Sequence, residues 1–315
     1  MLGPAVLLAT VAAGCVPAAA ALAAARWPRR SPAAAIVLWQ SLGLGWGLAA
    51  VGALISVSVT SHRSGVAAEA VTQAARLLGV RPGPPPDVGS VPAAGRLAAL
   101  VAGTILLLLL CWVLVSAFAV VMRARQRQRA LLCLLAHGDP KVPGALVVDH
   151  PMAAAYCVPG LRSQIVISAG ALDLLDSAEL AAVLAHERAH LRERHDLVLL
   201  PFTALLRAFR WARIARDAYQ AVALLVEMHA DDRALRQRPA RELATALLRV
   251  GAAGGGLAPS GTLAATATAT ECEVAARVTR LLRPVPGLSA AAIVLICAVA
   301  AIVVSVPAAV LLVPM

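Results

Sequence analysis

Aromatic residues are nearly missing from this 315-residue chain, 3% in all, and charged residues make up only 14%. Soluble domains carry about a quarter charged residues, so an ordinary soluble protein is excluded. Acids are the scarcer charge, 17 Asp and Glu against 28 Lys and Arg, for a net charge of +11. A nucleic-acid partner would suit that balance. The arginines, however, crowd the borders of apolar runs and almost no aromatic residues accompany them, so contact with anionic lipid is expected and direct nucleic-acid binding is not. The six cysteines, at positions 15, 111, 133, 157, 272 and 297, contain no C-x-x-C pair. Three of them fall in apolar runs, which excludes a disulfide framework and a zinc knuckle. No internal repeat of whole elements is visible.

What fills the chain instead is hydrophobic sequence, 60% of all residues. Four runs, residues 1–25, 33–59, 97–122 and 287–313, approach or exceed the roughly 20 apolar residues that cross a bilayer as a helix. The first has no Lys or Arg before it, while Arg26, Arg29 and Arg30 follow it. That is the reverse of a signal peptide's charge order, so it is expected to remain as a span. The positive-inside rule then places those arginines in the cytoplasm and the loop of about 60–96 outside, with its Pro/Gly-rich stretch at 83–86. Arg123, Arg125, Arg127 and Arg129 after the third span, and Arg277, Arg280 and Arg283 before the fourth, agree with a cytoplasmic domain between them. Both termini fall outside. Gly43 and Gly47 in the second span have the spacing of close helix approach.

The intervening segment, of about 160 residues, is large enough for a core of its own. Residues 145–150, 153–158 and 164–168 read as three short strands, β-branched and separated by Pro151 and by Pro159-Gly160. Asp176-Ser177-Ala178-Glu179 is a helix start with a cap residue and an acid in the first turn. Residues 197–209 are apolar but too short to span, and read as a buried core helix rather than a re-entrant loop, with docking against the membrane surface as an alternative. The glycine-rich 251–256 and the Ala/Thr run at 264–270 read as a loop. The fold class is therefore an α-helical integral membrane protein with four transmembrane helices and a cytoplasmic α+β domain between spans three and four. Its boundaries are 1–122 for three spans, 123–286 for the domain and 287–315 for the fourth span.

The chemistry concentrates in His186-Glu187-Arg188-Ala189-His190. Positions i and i+4 share a helix face, so both imidazoles can reach one Zn²⁺, while Glu187 is rotated toward water bound there. A catalytic zinc needs a third protein ligand and an open position. Asp196, six residues past His190, and Glu227 compete. The Asp196 geometry requires a helix break at Glu193, a helix-favouring residue, so Glu227 is preferred. Asp231, one turn past Glu227, can accept the outer N–H of a ligand histidine. Tyr156, His195 and His229 are candidates for stabilising an oxyanion, each more easily read as packing or surface; His62, His137 and His150 have no partner pattern.

The hairpin region from Val147, Ile165-Val166-Ile167-Ser168, Glu179-Leu180, Val183-Leu184-Ala185-His186-Glu187 and Glu227-x-x-Ala230-Asp231 together resemble the membrane gluzincins. The layout is similar to the antibiotic-sensing receptor metalloproteases of the BlaR/MecR kind, in particular short actinobacterial members. The resemblance implies that the cytoplasmic α+β domain is a zincin-like metalloprotease domain, with one Zn²⁺ per chain held by His186, His190 and Glu227, Glu187 as general base and Asp231 orienting a ligand. It also implies a cytosolic protein substrate, a winged-helix transcriptional repressor, in an envelope or antibiotic-response pathway. The chain stops at Met315, so acylation by a β-lactam at a penicillin-binding sensor is not expected, and signal would enter through repacking of the spans. A substrate peptide would pair with a sheet edge, residues 153–158 or 164–168. A quality-control protease of the HtpX or prenyl-protein type shares the zinc motif and membrane setting. A non-catalytic transducer is the third reading, against which an intact Glu187 speaks.

Overall fold

The structure is a computed structural model, which describes residues 3–77, 91–138, 142, 144–158, 164–254, 267–283 and 285–312; side chains at 59–77 and 267–271 are outside that description. The Pro/Gly stretch at 83–86, the Pro159-Gly160 separator and most of the glycine-rich and Ala/Thr loop lie outside the described residues. The chain divides into two compact units.

The first unit comprises residues 1–24, 37–113 and 294–315, and its described part is helical. It is built from α1 (Gly3–Ala24) and from parts of α2 (Pro32–Leu77), α3 (Ala93–Leu135) and α10 (Ala290–Leu312). Each of these four helices is long and apolar enough to cross a membrane, over 4–24, 32–58, 93–135 and 290–312. With no water to serve backbone groups in the bilayer, an uninterrupted helix satisfies its own N–H and C=O groups, and these sequences supply it. Two helices run further than their apolar stretches. α2 continues past Val59 to Leu77, so the beginning of the expected 60–96 loop is helical, and α3 continues past Met122 to Leu135. The close approaches fall at other glycines than Gly43 and Gly47. A methyl added at Gly45 would sit 2.7 Å from the Val303 carbonyl oxygen, and one at Gly52 would press on Leu8 and Leu311. Gly43 has nothing within 4 Å, and Gly47 meets only Leu110 at ordinary distance. The i,i+4 spacing is right for a helix face but selects the wrong one, because neighbours outside the helix decide which glycines are needed.

The second unit, residues 25–36 and 114–293, holds a small sheet covered by helices. Its strands are β1 (Ala136–Gly138), β2 (Ala145–Val148), β3 (Ala155–Val158) and β4 (Gln164–Ser168), in the order β1-β2-β4-β3. β2 and β4 are parallel; the two outer pairings are antiparallel. β4 is thus an interior strand, not an edge, and the edge near the helices is β3. Period-2 alternation sends Ile165 and Ile167 into the main core and Val166 into a smaller cluster with Leu132 and Val158. Burial of side chains this size contributes about 1.5–3 kcal/mol each.

From β4 the chain enters α4 (Ala169–Leu174), capped by Ser168, whose hydroxyl oxygen accepts from Ala171 N–H and from Ala154 N–H at 3.1 and 2.8 Å. α5 (Ser177–Arg192) follows with a full capping box between Asp176 and Glu179. α6 (His195–Ala208), α7 (Arg213–Ala234), α8 (Ala240–Ala252) and α9 (Ala267–Leu282) complete the unit. Val183 on α5, Leu243 and Val250 on α8 and Leu281 on α9 close the core against the sheet.

Candidate metal centre

α5 presents His186, Glu187 and His190 as buried residues, and α7 brings Glu227 and Asp231 against them. Three side chains converge. His186 Nε2 and His190 Nε2 are 3.0 Å apart; the first lies 3.4 Å from Glu227 Oε2 and the second 3.5 Å from Glu227 Oε1. Ligands about 2.1 Å from a tetrahedral zinc are about 3.4 Å from one another, so spacings of this size fit such an ion. The outer nitrogens are taken up elsewhere: His186 Nδ1 lies 2.9 Å from Asp231 Oδ1, and His190 Nδ1 lies 3.0 Å from His195 Nδ1. With a proton on each Nδ1, both Nε2 lone pairs are free for a metal.

Asp196, the competing ligand, stands aside. It pairs with Arg125 of α3 at 2.9 Å. The expectation that helix-favouring Glu193 would carry the helix onward is not met: α5 ends at Arg192, and Arg194 adopts the left-handed conformation, φ 51° and ψ 43°, without being glycine. The reversal folds His195 back onto His190, and it leaves Asp196 directed at Arg125 rather than at the three converging side chains.

Arg277 of α9, a border charge by its place in the sequence, is buried in the centre of this site. Its Nε and Nη2 donate to the two oxygens of Asp231 at 2.9 and 2.7 Å, and its Nη1 is 2.9 Å from Glu227 Oε2. A planar fork on a carboxylate is the strong form of such a pair. Arg280, another of the border arginines, pairs with Asp232 at 2.7 Å and donates to the carbonyl of Arg29. Consecutive acids on α7 thus meet arginines one turn apart on α9.

Electrostatics follow from these contacts. Burial disfavours a charged His186, but the Asp231 and Glu227 carboxylates outweigh it and raise its pKa to about 9. Asp231 is held at about 2, burial opposing and Arg277 prevailing. Glu227 is pulled well below the carboxylate range, burial again opposed, here by His190 and Arg277. Burial raises Glu187, with the histidines pulling it back. With neutral imidazoles, three carboxylates face one guanidinium, an excess of two negative charges that matches a divalent cation.

Of the oxyanion candidates, Tyr156 packs with the Leu132 and Val166 cluster, on the sheet face away from α5. His195 is engaged with His190, and burial followed by the charges of His190 and His229 lowers its pKa to about 3. His229 stacks edge-on with His195 and lies 4.0 Å from Glu193. Cys157, one position along β3 from Tyr156, faces the α5 side, where burial and then Glu187 push its thiol pKa up.

Residues 121–254 match peptidase family M48. The matched segment contains His186, Glu187, His190, Glu227 and Asp231 but ends before Arg277. The match supports a metallopeptidase function, in a chain with four helices long and apolar enough to cross a membrane. Neither the curated proteins nor the solved structures gave a match.

Proposed function

We propose that the chain is a membrane-embedded zinc metalloendopeptidase acting on a cytosolic protein. The observation that carries this reading is the convergence of His186, His190 and Glu227, whose nearest ligand atoms are 3.0, 3.4 and 3.5 Å apart pair by pair, beside a buried Glu187. Zinc bound there supplies a Lewis acid that polarises a carbonyl and lowers the pKa of water from about 15.7 to about 7. Glu187 takes a proton from the water as its oxygen attacks the peptide carbonyl carbon. When the C–N bond breaks, Glu187 returns that proton to the departing amine. Asp231 and Arg277 hold His186 and Glu227 in place, and His195 does the same for His190. The outer edge of β3, unpaired among the described residues, can accept an extended peptide by strand addition.

For the substrate we favour a winged-helix repressor in an envelope or antibiotic-response pathway, on the resemblance to receptor proteases. The match to family M48 carries no receptor assignment. The zinc motif and the apolar helices fit equally a second reading, quality control of membrane proteins. Comparing cells that express wild type and Glu187→Gln under cell-wall stress separates them. Selective loss of one DNA-binding protein in wild type is the expected result; accumulation of many damaged membrane proteins in the variant, with no repressor affected, would select quality control. Equal proteomes would remove both.

A further inference from the structure

The turn between α6 and α7 interleaves arginines with aromatic and aliphatic residues. Over Arg207-Ala208-Phe209-Arg210-Trp211-Ala212-Arg213-Ile214-Ala215-Arg216, arginine recurs at every third position, and Phe209, Trp211 and Ile214 stand between them. Trp211 is 80% exposed and Ile214 is 37% exposed. Phe209 meets Trp211 edge to face with ring centroids 6.1 Å apart, so the indole is braced on its protein side and bare outside. Arg207, Arg210, Arg213 and Arg216 are all exposed, with Asp217 the single acid beside them, 3.6 Å from Arg213. Arg207, Arg210 and Arg216 have no ion-pair partner among the described residues. The first turn of α7 carries no acid and its start has no side-chain cap, which adds to the positive potential there.

We propose that this turn is an interfacial docking surface for anionic phospholipid. Two properties select lipid over other polyanions. A nearly fully exposed indole with aliphatic neighbours gains little from water and much from the headgroup boundary, where Trp places its ring among acyl chains and its N–H among polar groups. Arginines flanking it place their stems along the apolar layer and their guanidinium groups on phosphates. The apolar stripe also continues along α6, through exposed Leu197 and Pro201. A bilayer is moreover a partner that four helices of this chain suit by length and composition. Docking is separate from peptidase chemistry: it concerns none of the residues at the metal centre.

The full-length protein in lipid nanodiscs tests it, through the fluorescence difference between wild type and Trp211→Phe. The other four of the five tryptophans cancel in that difference. In discs of phosphatidylcholine with phosphatidylglycerol, the Trp211 emission should shift to the blue and be quenched by brominated acyl chains. Raised salt, or the combined Arg207→Gln, Arg210→Gln, Arg213→Gln and Arg216→Gln variant, should abolish both effects; the salt arm needs no variant to fold. Trp211 emission that stays water-like and iodide-accessible in anionic discs would overturn the proposal. So would shielding of Trp211 by short duplex DNA without any effect of brominated lipid, which would mark a nucleic-acid surface. Peptide cleavage is not read, so this proposal and the peptidase reading can fail separately.

Discussion

Arg277 and Asp231, 46 residues apart in the chain, form a two-pronged pair at 2.7 and 2.9 Å in which both partners are buried. The same guanidinium reaches Glu227 at 2.9 Å. One cation on α9 therefore holds both acids that α7 contributes, and Asp231 in turn lies 2.9 Å from His186 Nδ1. Replacing Arg277 with Met leaves buried carboxylates without their countercharge, which should cost about 3–5 kcal/mol in thermal or denaturant unfolding of the metal-free protein. Arg277→Lys keeps charge but loses the fork, and zinc affinity measured against a chelator should fall by roughly 10–100-fold. Unchanged affinity in the lysine variant would reduce Arg277 to a packing role.

Zinc content and cleavage should separate across three substitutions at the centre. Glu187→Gln keeps all three ligands and removes the base, so metal analysis should find about one zinc with cleavage lost. Glu227→Ala should lose zinc as well. Asp196→Asn should retain both, because its partner is Arg125. Zinc that survives Glu227→Ala and drops with Asp196→Asn would reverse the ligand assignment.

His195 should matter more than its position outside the motif suggests. Its ring is buried, held neutral, and 3.0 Å from His190 Nδ1. His195→Phe preserves volume but removes the hydrogen bond that orients His190, and should weaken zinc by roughly 10–100-fold while the melting curve of the metal-free protein changes little. An equal loss of stability and no change in affinity would assign His195 to packing.

Arg194 is the one described non-glycine residue with positive φ. A left-handed L-residue costs roughly 1–2 kcal/mol that glycine does not incur. Arg194→Gly should raise the unfolding midpoint by a gain of about 1 kcal/mol and leave zinc binding intact. A lower midpoint would mean that the turn is held by the Arg194 side chain itself.

Orientation in the membrane follows the arginine bias and is open to reporter fusions. A cytoplasmic reporter should work after Gln128 and a phosphatase after Met315. The opposite pattern would remove any cytosolic substrate from consideration.

Whatever depends on contacts within a turn or two of helix is legible in the amino-acid sequence by itself. The i,i+4 spacing places His186 beside His190, the same arithmetic places Asp231 beyond Glu227, and Asp176 with Glu179 marks the start of α5, because helix geometry alone brings these groups together. The apolar runs are equally legible, since a span is defined by length and hydropathy. Tertiary structure decides the rest. Nothing local distinguishes Arg277 from Arg283: one is buried on Asp231 and the other exposed only because α9 packs with a particular face inward. The reversal at Arg194 has no glycine to announce it, so the contact of His195 with His190 leaves no trace in the sequence. Strand order, too, is a long-range choice. It places β4 inside the sheet and β3 at its edge, and it adds the three-residue β1, too short to leave a pattern. Sequence periodicity reports which residues share a face; only packing between distant elements determines what that face meets.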